Sequence, residues 1–230
     1  MTRKYSDYAL TMAEIRETAE KCKNWGRWGP DDEIGPLNHI RPEDITAAAA
    51  LIRKGRVFSL ALNFDSEGPQ TGLWGNRFNP IHTMLATGTD AIAGKQDGGG
   101  LRYADDMVSL PLQCGTQWDG LGHIFYGDKM WNGYDAALVD SNGAHKNGIE
   151  NVKDKMVGRG VLLDIARHIG VDSLDEGIAI TNEDLDACAE AQGVEVRRGD
   201  FVLCRTGMIE QRLRDGEWGG YAGDALRETT

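Results

Sequence analysis

The chain has 230 residues, 40% hydrophobic and 27% charged, enough apolar content to bury a sizeable core. Its formal net charge of −11 excludes nucleic acid and anionic membrane surfaces as main partners, because phosphate recognition needs clustered Lys and Arg. No run of about 18 apolar residues suggests a membrane span, and "MTRKYSDYALTMAEI" has no signal-peptide core, so a soluble, cytoplasmic protein is expected.

The first predicted helix is "TMAEIRETAEKCKN", where Thr11 and Glu14 stand three apart as a capping box. "WGRWGPDDEIGPLNHI" follows as a loop. "RPEDITAAAALIRKG" predicts a second helix, with Pro42 in the first turn, acidic residues early, basic residues late and Gly55 as the stop. "VFSLALNF" reads as a strand. From Asp65 to Gly100 the chain is Gly-rich and reads as irregular, and a structureless segment of that length is often functional; its "GGGL" lacks the strand–glycine–helix context of a nucleotide site. "MVSLPLQ" alternates Val108, Leu110 and Leu112 on one face, a half-buried strand that Pro111 moves to an edge or ends early. "GVLLDIA" and "DFVLCRTG" predict buried strands, and "TNEDLDACAEAQG" a capped helix closed by Gly193. The mixture predicts one α/β domain over 1–230, with an N-terminal helical and loop extension over about 1–55. Cys22, Cys114, Cys188 and Cys204 form no C-x-x-C pair and are expected as small buried residues in a reducing compartment.

The chemistry concentrates in "QCGTQWDGLGH", which places Gln113, Gln117, Asp119 and His123 within eleven residues. In a strand, Gln113 and Asp119 would share a face but stand roughly 20 Å apart at about 3.3 Å per residue. Ligand bonds of about 2 Å cannot close on one ion across that gap. A helix aligns 113 with 117 but turns 119 and 123 elsewhere. Only a curled segment brings the four together, and Gly115, Gly120 and Gly122 permit one. Asp119 then offers an anionic oxygen and the two amides neutral carbonyl oxygens, a set suited to Mg²⁺, Mn²⁺ or Ca²⁺ above Zn²⁺. An imidazole at His123 moves protons at neutral pH. On spacing alone a plainer reading competes: the amides satisfy backbone groups, Asp119 caps a turn and His123 is a buried, hydrogen-bonded imidazole.

The stretch resembles the signature of the cyclase family of metal-dependent hydrolases, which includes kynurenine formamidase (arylformamidase) and isatin hydrolase. The family pattern is His-x-Gly-Thr-His-x-Asp with a His four positions later, and Gly115, Thr116, Asp119 and His123 fit it. "RWGPDDEIGPLNHI", "RFNPIHTMLATGTD", "HIFYGDKMWNGYDA" and "GVEVRRGDFVLCRTG" extend the similarity over nearly the whole chain. The resemblance implies a swivelling β/β/α domain with a mixed sheet, assembled as a homo-oligomer. It implies hydrolysis of amides, formamides or lactams in a small molecule, as in tryptophan catabolism to kynurenine. Position by position, Gln113 and Gln117 stand where two histidine ligands are usual, Asp119 where the carboxylate ligand is, and His123 where the catalytic histidine is. The cofactor implied is a divalent ion (Mn, Mg or Zn), with zinc affinity weakened because amide oxygens replace imidazoles. A metal-free ligand-binding homologue is the alternative.

The family's further ligands, a His and a Glu, lie downstream of this motif, so a chain incomplete at its C-terminus is expected. Trp74, Arg77 and His82, on the long irregular segment, are candidates for contact with an aromatic or carboxylate-bearing substrate. His39, His145 and His168 read as surface residues.

Overall fold

The structure, a computed structural model, describes residues 11–96 and 99–218. In chain order its elements are α1 (Met12–Cys22), α2 (Pro42–Ala49), β1 (Ile81–Ala86), α3 (Gly88–Ile92), β2 (Asp105–Ser109), β3 (Phe125–Tyr126), β4 (Lys129–Met130), β5 (Val139–Asp140), β6 (Gly143–Ala144), β7 (Gly160–Asp164), α4 (Ile165–Ile169), α5 (Asn182–Gln192), β8 (Phe201–Arg205) and α6 (Met208–Asp215), with short 3-10 turns between. The α/β class is as expected. Among the described residues the sheets are small: three antiparallel pairs and one parallel pair. Two compact units emerge. One holds the described residues up to Arg56 and from Asp119 to Arg214; the other holds Val57–Trp118 and those from Asp215 onward.

In the first unit, α1 starts where the capping box predicts. The Thr11 hydroxyl accepts from the Glu14 amide, and the Glu14 carboxylate accepts from the Thr11 amide at 2.7 Å. α2 begins at Pro42 as predicted but ends well before Gly55. It buries no residue, and Ile52 beyond it is 75% exposed; a helix end without tertiary packing gains too little per turn to persist.

The core of this unit is a βαβ arrangement. β7 and β8 run parallel in register from Gly160↔Phe201 to Asp164↔Arg205, with α4 and α5 in the connection. Alternation along β7 sends Val161 and Leu163 inward, where they pack with Ile165, Leu174 and Cys188. Each fully buried aliphatic side chain contributes about 1.5–3 kcal/mol, so this small cluster fixes the pairing. Gln192, at the end of α5, finishes the edge of β7: its Oε1 accepts from the Asp164 amide at 2.8 Å and its Nε2 donates to the Leu162 carbonyl at 2.7 Å. Gly193 closes α5 at φ +64°, the left-handed cap that its sequence position predicts.

The second unit is built on β1 and β2, antiparallel from Ile81↔Ser109 with an irregularity between Met84 and Ala86. This corrects two expectations. The segment from Asp65 to Gly100 is not structureless, since it contains β1 and the short capped helix α3. The predicted strand "VFSLALNF" does not form. Val57 is 95% exposed, and the Ala61 and Leu62 amides donate to the Ser59 and Thr116 hydroxyls in place of a ladder. β2 stops before Pro111, as the missing amide dictates, but Val108 and Leu112 are exposed and not half-buried.

Candidate functional site

The division between the units falls between Trp118 and Asp119, so Gln113 and Gln117 belong to the second unit and Asp119 and His123 to the first. In the second unit the motif opens with a tight turn, the Cys114 amide donating to the Pro111 carbonyl at 3.0 Å. The Cys114 carbonyl accepts from Gln70 Nε2 at 3.0 Å, and the Thr116 hydroxyl accepts from the Leu62 amide at 3.0 Å. Residues 110–120 are therefore neither strand nor helix. Gln113 is half-buried and Gln117 exposed.

In the first unit, residues Leu121–His123 make a single 3-10 turn, closed by the His123 amide donating to the Gly120 carbonyl at 3.1 Å. That turn brings the imidazole back onto the motif's carboxylate: His123 Nδ1 is hydrogen-bonded to Asp119 Oδ1. An ionised carboxylate only accepts, so Nδ1 carries the proton and Nε2 keeps its lone pair in the neutral ring. The side chains of His123 and Asp119 are 41% and 40% exposed, which overturns the plainer reading of His123 as a buried imidazole.

Beside this turn lies a cavity of about 470 Å³, lined by Trp25, Leu121, Phe125, Tyr126, Met130 and Trp131 among others. Its size falls in the range of about 300–1,000 Å³ usual for small-molecule pockets. Gly120 and Leu121 form part of its wall, so the same turn serves the cavity and the Asp119–His123 pair. The indole of Trp131 donates to Asn24 Oδ1 at 2.9 Å, and the Lys23 ammonium sits 4.4 Å from the Trp25 ring centroid. Trp25 comes from the stretch before "RWGPDDEIGPLNHI", read as a loop, and Trp131 from "HIFYGDKMWNGYDA", which entered the sequence reading only through the family resemblance.

Trp74, Arg77 and His82 lie in the second unit. Trp74 and Arg77 end one tight turn, the Arg77 amide donating to the Trp74 carbonyl at 3.0 Å across Gly75 and Asn76, both at positive φ. His82 stands on β1 and its Nε2 meets Asp106 Oδ2 of β2 at 2.7 Å. The cysteine expectation is half corrected: Cys114 and Cys188 are buried, whereas Cys22 and Cys204 are exposed.

Among the described residues no group of three or more His, Cys, Asp or Glu side chains could hold a metal ion. Of the motif's expected donors, Asp119 carries a carboxylate, and Gln113 and Gln117 carry amide oxygens. That all-oxygen donor set suits a hard divalent ion such as Mg²⁺ or Mn²⁺ and is poor for zinc.

Two residues that the motif does not contain hold the Asp119–His123 turn from behind. Asn147 accepts from the Gly122 amide through its carbonyl at 3.1 Å, and Glu33 accepts from the Asn147 amide at 2.7 Å. Glu33 also pairs with Lys146 at 2.7 Å, and this hydrogen bond raises the ammonium above its ordinary pKa. Only the Asn-Gly pair in "HKNGIE" hinted at a special backbone there.

The cyclase family (putative cyclase) matches residues 58–227 of the chain. A crystal structure described as a novel cyclase is similar at 45% identity and a TM-score of 0.77, over 82% of this chain and 63% of that one. The chain thus spans less than two thirds of the length of that relative. No curated protein matches it. No helix among the described residues is long and apolar enough to cross a membrane.

Proposed function

The chain belongs to the cyclase family, and on that premise we propose that it is a hydrolase opening an amide, formamide or lactam bond in a small molecule, as an arylformamidase does. The observation that carries this reading is the hydrogen bond between Asp119 and His123 Nδ1. It leaves Nε2 to take a proton from the attacking water and return it to the departing nitrogen. The partly exposed imidazole lets substrate and water reach it. A divalent ion at Asp119, Gln113 and Gln117 would supply positive charge to polarise the carbonyl under attack. The same reading includes substrate contacts from Trp74, Arg77 and His82, a homo-oligomer, and a cytoplasmic location.

The direct test measures the metal content of the full chain and its hydrolysis of N-formylkynurenine and simple lactams, before and after chelation. Turnover that a chelator abolishes and Mn²⁺ or Mg²⁺ restores is expected. No turnover with any divalent ion would overturn the reading. A second reading, a metal-free homologue that binds a ligand without converting it, is favoured by the two amides and by the want of a three-residue acid, His or Cys cluster among the described residues. It expects ligands to raise the unfolding temperature, since binding only to the folded form stabilises it, with no product under any metal.

A further inference from the structure

The glycines that flank Leu121 in the proton-handling turn are packed backbone against backbone. A Cβ on Gly120 would lie 3.1 Å from the Asn147 carbonyl oxygen and 3.2 Å from the Ile149 nitrogen. One on Gly122 would lie 3.1 Å from the Lys146 carbonyl oxygen and 3.3 Å from that of Asn147. The Gly122 amide donates to the Asn147 carbonyl. The 3-10 turn carrying His123 is therefore laid directly on the main chain of residues 146–149.

That main chain is itself held in an unusual form. Asn147 is 1% exposed and adopts φ +60°, a left-handed conformation rare outside glycine, which Asn tolerates better than most residues. Its Nδ2 donates to the Trp131 carbonyl at 2.9 Å, while its Oδ1 is buried without a hydrogen-bond partner among the described residues. Keeping a buried amide with one end unsatisfied is unfavourable, and such an outlier points to a role beyond filling space. Glu33 clamps the same segment from the N-terminal part of the chain. Its carboxylate accepts from the Asn147 amide, the Lys146 ammonium and, at 3.1 Å, the Asn151 side-chain amide.

Resting on the reading of Asp119 and His123 as the proton-handling pair, we propose that Asn147, clamped by Glu33, is the positioning residue that sets the path of the Asp119–His123 turn. Asn147 reaches no reacting atom in this scheme. It acts through its carbonyl, which fixes Gly122, and through its left-handed backbone, which aims that carbonyl. Glu33 supplies the fixed charge that keeps the segment in that form.

The test compares Glu33→Ala, Glu33→Gln, Asn147→Ala and Asn147→Gly in the full chain, reading amide hydrogen exchange at Gly122 and at Leu163 of β7, and the His123 Nδ1 proton by NMR. Leu163 reports the core, so it separates local release from general loosening. Glu33→Ala and Asn147→Ala are expected to speed Gly122 exchange at least about tenfold without moving Leu163, and to weaken the Nδ1 proton signal. Asn147→Gly, which keeps the carbonyl and accepts positive φ, is expected to retain both, and Glu33→Gln to fall between. On a substrate that turns over, Glu33→Ala should lower kcat by up to about 100-fold with KM nearly unchanged, the cost of a misplaced group. Gly122 exchange that stays slow, or that rises only in step with Leu163, would overturn the proposal. Want of turnover in the unaltered chain would instead count against the hydrolase reading, and exchange and the Nδ1 proton would still decide the positioning role.

Discussion

One carboxylate, that of Asp119, holds the Nδ1 proton of His123, and the proposed roles of the two side chains can be measured one residue at a time. His123→Ala should lower kcat by at least about 100-fold, the usual worth of a positioned acid–base group, while leaving any bound metal in place. Asp119→Asn should cost as much and should also lower metal content, because only Asp119 of the pair is proposed to contact the ion. Equal metal loss in both variants would contradict that division of roles. Gly122→Ala tests the packing behind them: its methyl group would sit 3.1–3.3 Å from two carbonyl oxygens. Overpacking of this kind costs about 1–3 kcal/mol, read as a lower denaturation midpoint with an unchanged slope. Glycines at 120 and 122 were legible as permitting a bend. That they permit contact with residues 146–149, 24 or more positions away in sequence, was not, because no local pattern encodes a long-range backbone contact.

At the level of elements, legibility followed local hydrogen bonding. α1 and α5 begin at Thr11 and Thr181, both in capping boxes, and a cap is a contract between residues three apart. β1 escaped notice because its strand character lies in pairing with β2, beginning at Ile81↔Ser109, which only the folded chain supplies. "VFSLALNF" shows the converse: β-forming residues without a partner ladder among the described residues remain irregular. α3 offers a quantitative check. The Thr87 hydroxyl, and next to it the Lys95 ammonium, hold the Asp90 carboxyl down to about 2 from its ordinary 3.8. A carboxylate depressed in the folded state stabilises above its unfolded pKa, and that contribution is lost as pH falls toward about 2. NMR titration of Asp90 should find a midpoint near that value, and Thr87→Val should move it up toward the ordinary range. An Asp90 midpoint already ordinary in the unaltered chain would refute the cap.

Over the molecule as a whole, the cyclase motif pointed to the right family. The pairing of Asp119 with His123 and the aromatic cavity beside it required coordinates, since neither follows from spacing. One further consequence concerns the thiols. Cys188 is fully buried in the first unit, and burial, then the nearby Asp164 charge, pushes its thiol pKa up. Cys114 is buried in the second unit, while Cys22 and Cys204 are exposed. Since alkylating reagents capture the thiolate of an accessible sulfur, maleimide should mark positions 22 and 204 at once. Positions 114 and 188 should wait for their own part of the chain to open. Mass spectrometry of the labelled peptides then yields two independent clocks, one for each half's breathing, without any substitution; equal labelling rates at Cys188 and Cys22 would stop the first of them.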